Sequence, residues 1–196
     1  MKARDIDRFF ETLSQHWTLP TRITLTGGGA ALLMGGARPT DDVDYEVSLE
    51  PPDADREVFQ HAVRSAQEST GINAQFSESI ERWSEISLLD YRKHTMLYKR
   101  FGSLEIRLLD PLYWSIGKIA RYWDQDVQDL VAVFSRTKPD PLTVAALWHR
   151  ALHSSPASSS LFLVKQQAIH FFTHHGRTVW GKRFDPAAVT QLLEKR

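Results

Sequence analysis

The sequence predicts an α+β chain, with strands and helices interleaved as far as residue 109 and helices alone beyond it. Three observations carry this. Short β-branched or alternating segments are confined to residues 22–109, apolar residues recur at helical spacing before Pro20 and after Pro111, and a run of three glycines separates the first strand from the helix that follows.

In chain order, Ile6, Phe9, Phe10, Leu13 and Trp17 line one face of a first helix that ends before Pro20. Arg22-Ile23-Thr24-Leu25-Thr26 is short and β-branched, as a strand is, and Gly27-Gly28-Gly29 stops it. A brief helix follows from Ala30 to Met34, closed by Gly35-Gly36 and Pro39. Val43, Tyr45 and Val47 then alternate with Asp42, Asp44 and Glu46, which predicts a strand with one apolar and one acidic face. Pro51-Pro52-Asp53 opens a helix carrying Val58, Phe59, Ala62, Val63 and Ala66, and Gly71 ends it. Further strands are expected around 73–77, 86–90, 94–100 and 103–109, the last two joined as a hairpin at Phe101-Gly102. Helices are expected over 111–123, 125–136, 141–153, 161–175 and 185–195, with breaks at Lys138-Pro139-Asp140-Pro141 and in the serine-rich stretch 154–160. This divides the chain into a first domain of residues 1–137 and a helical C-terminal region of residues 138–196.

With 196 residues and 42% hydrophobic content, the chain is long enough to bury a core. Cysteine is absent, which excludes disulfides and thiolate zinc sites. The start reads as an amphipathic helix rather than a signal peptide and no stretch approaches the ~20 apolar residues of a membrane span, so the expectation is a soluble, cytoplasmic protein with no membrane partner. The formal charge is zero but unevenly placed. Residues 1–110 carry 13 Lys and Arg against 18 Asp and Glu, and residues 111–196 carry 11 against 6. An acidic front suits divalent metal and a basic back suits phosphate or nucleic acid, although solvated faces produce the same asymmetry by chance.

The glycines and the acidic strand carry the chemistry. Glycines between a strand and a helix let backbone N–H groups approach phosphate oxygens without hindrance from a Cβ, and Gly28 and Gly29 fit that role. Carboxylates at i and i+2 of a strand leave from the same face, so Asp42 and Asp44 can share hard, oxygen-seeking metal ions. A common cleft requires both carboxylates to face the glycine loop.

An apolar strand, Gly28-Gly29, a spacer of 12 residues and then Asp42-Val43-Asp44 resembles the signature of the polymerase-beta-type nucleotidyltransferase superfamily. Arg38-Pro39-Thr40-Asp41-Asp42-Val43-Asp44 resembles the minimal nucleotidyltransferases, particularly the abortive-infection toxin group of bacterial toxin–antitoxin pairs. The similarity extends through Leu109-Asp110-Pro111-Leu112 and Lys118 to Asp126-Val127-Gln128-Asp129-Leu130. The resemblance implies the nucleotidyltransferase fold, a small mixed sheet flanked by helices. It also implies Mg²⁺-dependent transfer of a nucleoside monophosphate from an NTP to a hydroxyl on RNA, such as tRNA, or on protein, with an antitoxin as partner.

On that resemblance Asp42 and Asp44 hold one or two Mg²⁺ ions, Gly28 and Gly29 hold phosphates, Arg38 and Thr40 belong to the substrate site, and Lys118 neutralises the triphosphate. Asp126 is a supporting residue with Asp129, or an ordinary acid in the first turn of its helix. Glu105 is the candidate third carboxylate, the base for the attacking hydroxyl, and reads equally as a surface ion-pair partner of Arg107. Lys118 reads also as a solvated helix lysine. A catalytically inactive module of the same fold, binding a protein or nucleic acid, is the alternative from another functional class.

Other motifs point less far. His149/His153 and His170/His174 are i,i+4 pairs without a third ligand for zinc. Trp114, Trp123, Trp148 and Trp180 lie on apolar helix stripes and are expected in a core or an interface. A dinucleotide-binding loop is disfavoured, because Leu32 occupies the position where Gly or Ala is needed.

Overall fold

The computed structural model describes residues 1–36, 38–49, 56–77, 80, 82–83 and 86–194. The chain is α+β, built on a mixed five-stranded sheet. It divides into two compact units. Met1–Met34, Arg38–Ile80 and Arg92–Leu109 form the first, and Gly35–Ala37, Glu81–Tyr91 and Asp110–Arg196 form the second.

The first unit contains α1 (Ala3–His16), β1 (Thr21–Leu25), α2 (Gly27–Leu33), β2 (Asp42–Leu49), α3 (Arg56–Thr70) and β3 (Asn73–Ser77). The second contains the short β4 (Arg82–Trp83) and β5 (Ile86–Ser87). The chain then returns to the first unit through a 3₁₀ turn at Tyr91–Lys93, β6 (Thr95–Phe101) and β7 (Leu104–Leu109). Sheet order is β3-β2-β1-β7-β6. β1 runs antiparallel to β2 and parallel to β7, β2 is parallel to β3, and β6 is antiparallel to β7.

Alternation along these strands gives the sheet two unlike faces. Ile23, Leu25, Val43, Tyr45, Ile106 and Leu108 form the apolar one. Against it lie the buried Ile6, Phe9, Phe10 and Leu13 of α1 and Phe59, Ala62, Val63 and Ala66 of α3. Edge-on ring contacts of Phe10 with Tyr45 and of Phe59 with Phe76 bind the layers together. The opposite face carries Asp44 and Glu46, Arg22 and Thr24, and Glu105 and Arg107.

The second unit comprises α4 (Pro111–Arg121), α5 (Asp124–Thr137), α6 (Pro141–His153), α7 (Ser159–Trp180) and α8 (Pro186–Glu194). Asp-Pro pairs start α4 and α6. Asp110 accepts from Leu112 N at 2.8 Å and Asp140 from Thr143 N at 2.9 Å, and each proline fills a first-turn position that has no acceptor for an N–H. Phe134, Trp148, Phe171 and Phe172 form a fully buried aromatic core, with Trp148 Nε1 donating to Ser115 Oγ at 2.8 Å.

Several expectations are revised. The units part at Leu109–Asp110 rather than at 137/138, because Phe134 of α5 packs on Trp148 and Phe171 and so commits α5 to the helical core. Helix α7 continues past Gly176 to Trp180. A Cβ on Gly176 would come within 2.6 Å of Phe184 Cδ1, so that glycine makes room for a ring rather than ending the helix. Within the expected strand 86–90 only Ile86–Ser87 pairs, with β4. Trp114 and Trp148 are buried as expected, whereas Trp123 is 64% exposed. The helix-opening Pro51-Pro52-Asp53 and the end of the 185–195 helix lie outside the described residues. No helix among the described residues is long and apolar enough to cross a membrane.

Candidate nucleotide-binding site

The site grows from the end of β1. Thr26 N donates to Asp44 O at 3.0 Å, extending the β1–β2 ladder by one residue and drawing Gly27 alongside Asp44. Gly27 has φ +62°, in the left-handed region. A Cβ there would overlap the Asp44 carboxylate, with Asp44 Cβ and Cγ each only 3.1 Å away. Conformation and space therefore both demand glycine.

Gly28 meets the next pair of residues. Its Cβ would fall 2.7 Å from Thr40 Oγ1 and 3.3 Å from Arg38 Nη2. The Thr40 hydroxyl in turn lies 3.0 Å from Asp42 O and 3.4 Å from Asp42 Oδ1. Thr40 is 3% exposed and Asp42, Asp44, Arg38 and Gly28 are half-buried, so the glycine turn, the hydroxyl, the guanidinium and the paired acids meet at a partly open surface of the first unit.

The glycines do not stand between the first strand and a helix beginning at Ala30. They are the first turn of α2, and such residues present N–H groups that the helix itself leaves without acceptors. Gly29 differs from its neighbours: it is buried, and its Cβ would meet nothing closer than 3.8 Å. The close approach to Asp44 and Thr40 belongs to Gly27 and Gly28. Gly27 was legible as the residue at which a strand must turn at once.

Glu105 is the main correction. Register pairs it with Arg22, and Arg22 with Ser48, four residues along β2 from Asp44 and two strands away. At ~3.3 Å per residue and ~4.8 Å per strand, that is roughly 16 Å, too far to share a metal ion or a hydroxyl with Asp42 and Asp44. Its carboxylate is held by arginines: Arg100 Nη2 donates to Oε2 at 2.8 Å, Arg107 Nη1 donates to Oε1 at 3.0 Å, and Arg22 Nε stands 3.5 Å from Oε1. The Arg100 bond, then that of Arg107, holds Glu105 below the usual carboxylate range.

The third acid of the β2 alternation is Glu46. It is 2% exposed, accepts from Arg92 Nε and Ile80 N at 3.0 Å each, and anchors the 3₁₀ turn. The alternation put Glu46 on the acidic face, but nothing local to Arg92 signals their pairing.

Lys118 belongs to the second unit and is 3% exposed. Its Nζ donates to Asp126 Oδ1 at 3.0 Å and to Asp129 Oδ2 at 2.7 Å, and Arg121 Nε donates to Asp126 Oδ2 at 2.7 Å. Asp126 Oδ2 also accepts from Trp123 N at 3.1 Å, closing the first turn of α5. Burial raises the pKa of Asp126, but Arg121 and Lys118 outweigh it and leave the carboxyl below its usual range. The lysine expected on a triphosphate is thus engaged by two buried aspartates.

The paired histidines lie ring to ring, with centroids 4.2 Å apart in both His149/His153 and His170/His174. Among the described residues no three His, Asp or Glu side chains form a metal cage. The Asp42–Asp44 pair still suits Mg²⁺, a hard ion that commonly takes one or two carboxylates and completes its shell with phosphate oxygens and water. No known family model, curated protein or solved structure matches this chain, so the case for its site stands on its own residues.

Proposed function

We propose that this chain is a Mg²⁺-dependent nucleotidyltransferase of the nucleotidyltransferase fold, moving a nucleoside monophosphate from an NTP to a hydroxyl of RNA or protein, as the toxin of a toxin–antitoxin pair. The observation that carries the proposal is the approach of Asp44 to Gly27 and of Thr40 to Gly28, with Asp42 bonded through Thr40. Phosphates seated on the Gly27–Gly28 turn lie directly beside two carboxylates on one strand face.

Asp42 and Asp44 would hold the ion, which when bound supplies charge neutralisation at the phosphoryl oxygens. The chain's own contribution is positioning, the main demand of phosphoryl chemistry. Backbone N–H groups of the glycine turn and the Arg38 guanidinium bind phosphate oxygens, and Thr40 orients Asp42. A bond forms between the acceptor oxygen and the α-phosphorus, the bridge to the β-phosphate breaks, pyrophosphate leaves, and the acceptor proton passes to water.

The test is incubation with each α-labelled NTP, Mg²⁺, bulk tRNA and a protein mixture. Label on an acceptor, lost in Asp44→Ala, is the expected result, and equal labelling by the variant would falsify the proposal. The arginine clamp on Glu105 favours a second reading. With Glu105 too far from Asp44 and Glu46 engaged by Arg92 and Ile80 N, a module that binds a partner without transferring a nucleotide accounts for the same cleft. Mg²⁺-dependent turnover by the intact chain excludes it.

A further inference from the structure

The arginines that disqualify Glu105 from the base role build something else. Arg22, Glu105 and Arg100 stand side by side on β1, β7 and β6 in one register row, and Arg107 adds a third guanidinium to the same carboxylate. Three positive charges against one negative leave a local surplus of two. Arg107 is fully engaged, since Nε donates to Thr95 Oγ1 at 2.7 Å and Nη2 to Thr95 O at 2.9 Å.

Arg22 and Arg100 are not. Their side chains are 56% and 65% exposed, and each meets Glu105 through a single nitrogen. They line a cleft of about 290 Å³ walled by Ser103 and the Gly102 turn. Glu105 holds the two guanidiniums on either side of itself and lines the cleft with them. A guanidinium fork matches phosphate oxygens in pairs, and two forks on the strands that flank β7 make a phosphate seat.

We propose that the Arg22–Arg100 cleft binds a backbone phosphate of a single-stranded RNA acceptor. The inference rests on the nucleotidyl-transfer reading only for its choice of RNA. The cleft opens on the sheet face that carries Asp44, roughly 16 Å away, about five stacked nucleotides at ~3.4 Å each. Because residues 1–110 carry an excess of acid, the contact is local rather than a broad basic surface.

The experiment measures fluorescence anisotropy of a labelled 12-nucleotide oligo(U) on the full chain from 50 to 200 mM salt, with inorganic phosphate and a labelled poly-glutamate peptide as separate arms. One phosphate contact on a single strand gives a log–log slope of about −0.7, or about a 2.6-fold loss over that range. The Arg22→Ala/Arg100→Ala variant should bind at least tenfold more weakly with a nearly flat slope. Glu105→Gln, which removes the competing carboxylate, should bind more tightly, and it serves if the double variant melts. Unchanged affinity and slope in the double variant overturn the inference, as does a wild type that binds phosphate or the acidic peptide but not RNA. Mg²⁺·ATP binding to the same wild-type sample reports the Asp42–Asp44 cleft separately. Its absence beside arginine-dependent RNA binding sinks the nucleotidyl-transfer reading and leaves this one standing.

Discussion

Gly27→Ala and Gly29→Ala change two residues of one helical turn by the same methyl group, yet the structure assigns them opposite effects. At Gly27 the backbone is left-handed, with φ +62°, and the new Cβ overlaps the Asp44 carboxylate. The backbone costs about 1–2 kcal/mol, and turning Asp44 off its rotamer to clear the overlap adds about 1 kcal/mol. At Gly29 the Cβ has 3.8 Å of clearance in a helical position, and alanine gains about 0.5–1 kcal/mol over glycine there. The two variants should therefore differ by roughly 3 kcal/mol in urea denaturation, with Gly29→Ala the more stable. Function should separate them further. Moving Asp44 by about 1 Å is a displacement of the size that costs about 100-fold in a transfer reaction, so Gly27→Ala should lose nucleotide labelling while Gly29→Ala retains it. A Gly29→Ala variant as damaged as Gly27→Ala, in either assay, refutes the assignment of the close approach to Gly27.

Lys118→Met removes the buried cation that donates to Asp126 and Asp129. It should destabilise the second unit by about 3–5 kcal/mol, the usual consequence of breaking a buried ion pair. A melting temperature within 2 °C of wild type, taking ~2–4 °C per kcal/mol as the scale, together with a selective loss of NTP affinity, would return Lys118 to the triphosphate. Arg92→Ala should remove one partner of the buried Glu46 carboxylate and lower stability by about 3 kcal/mol, read by the same melts; an unchanged melt overturns the anchoring role of Arg92. Acid should act in two stages. Burial, then neighbouring histidines, lowers the pKa of His170 and His175, so their contribution is complete above the unfolded value of 6.5 and lost as pH falls through the folded one. Asp126, also lowered, contributes above 3.8 and loses that contribution further into acid. Replacing both histidines by Asn should remove the first stage of a melting-temperature-versus-pH curve and leave the second.

Local patterns told most about the elements whose cause is local. Asp110-Pro111 and Asp140-Pro141 announce helix starts because a cap and a missing N–H act within one turn. The 73–77 strand is found at those residues, and the apolar face of α1 is buried as its spacing requires. The helix end expected at residue 175 fails for the opposite reason: Gly176 makes room for the Phe184 ring, which arrives from eight residues further along the chain, outside α7.

At the candidate site the same division holds. Sequence by itself determined that Asp42 and Asp44 leave one face of a strand and that glycines follow the preceding strand, because side-chain direction and backbone freedom are properties of neighbours along the chain. Only tertiary structure decided which glycine meets which acid, and that Glu105 sits among Arg22, Arg100 and Arg107 rather than beside Asp44. Those pairings follow from strand register across β2, β1, β7 and β6, and register joins residues as far apart as Arg22 and Glu105 through backbone hydrogen bonds that no local spacing encodes.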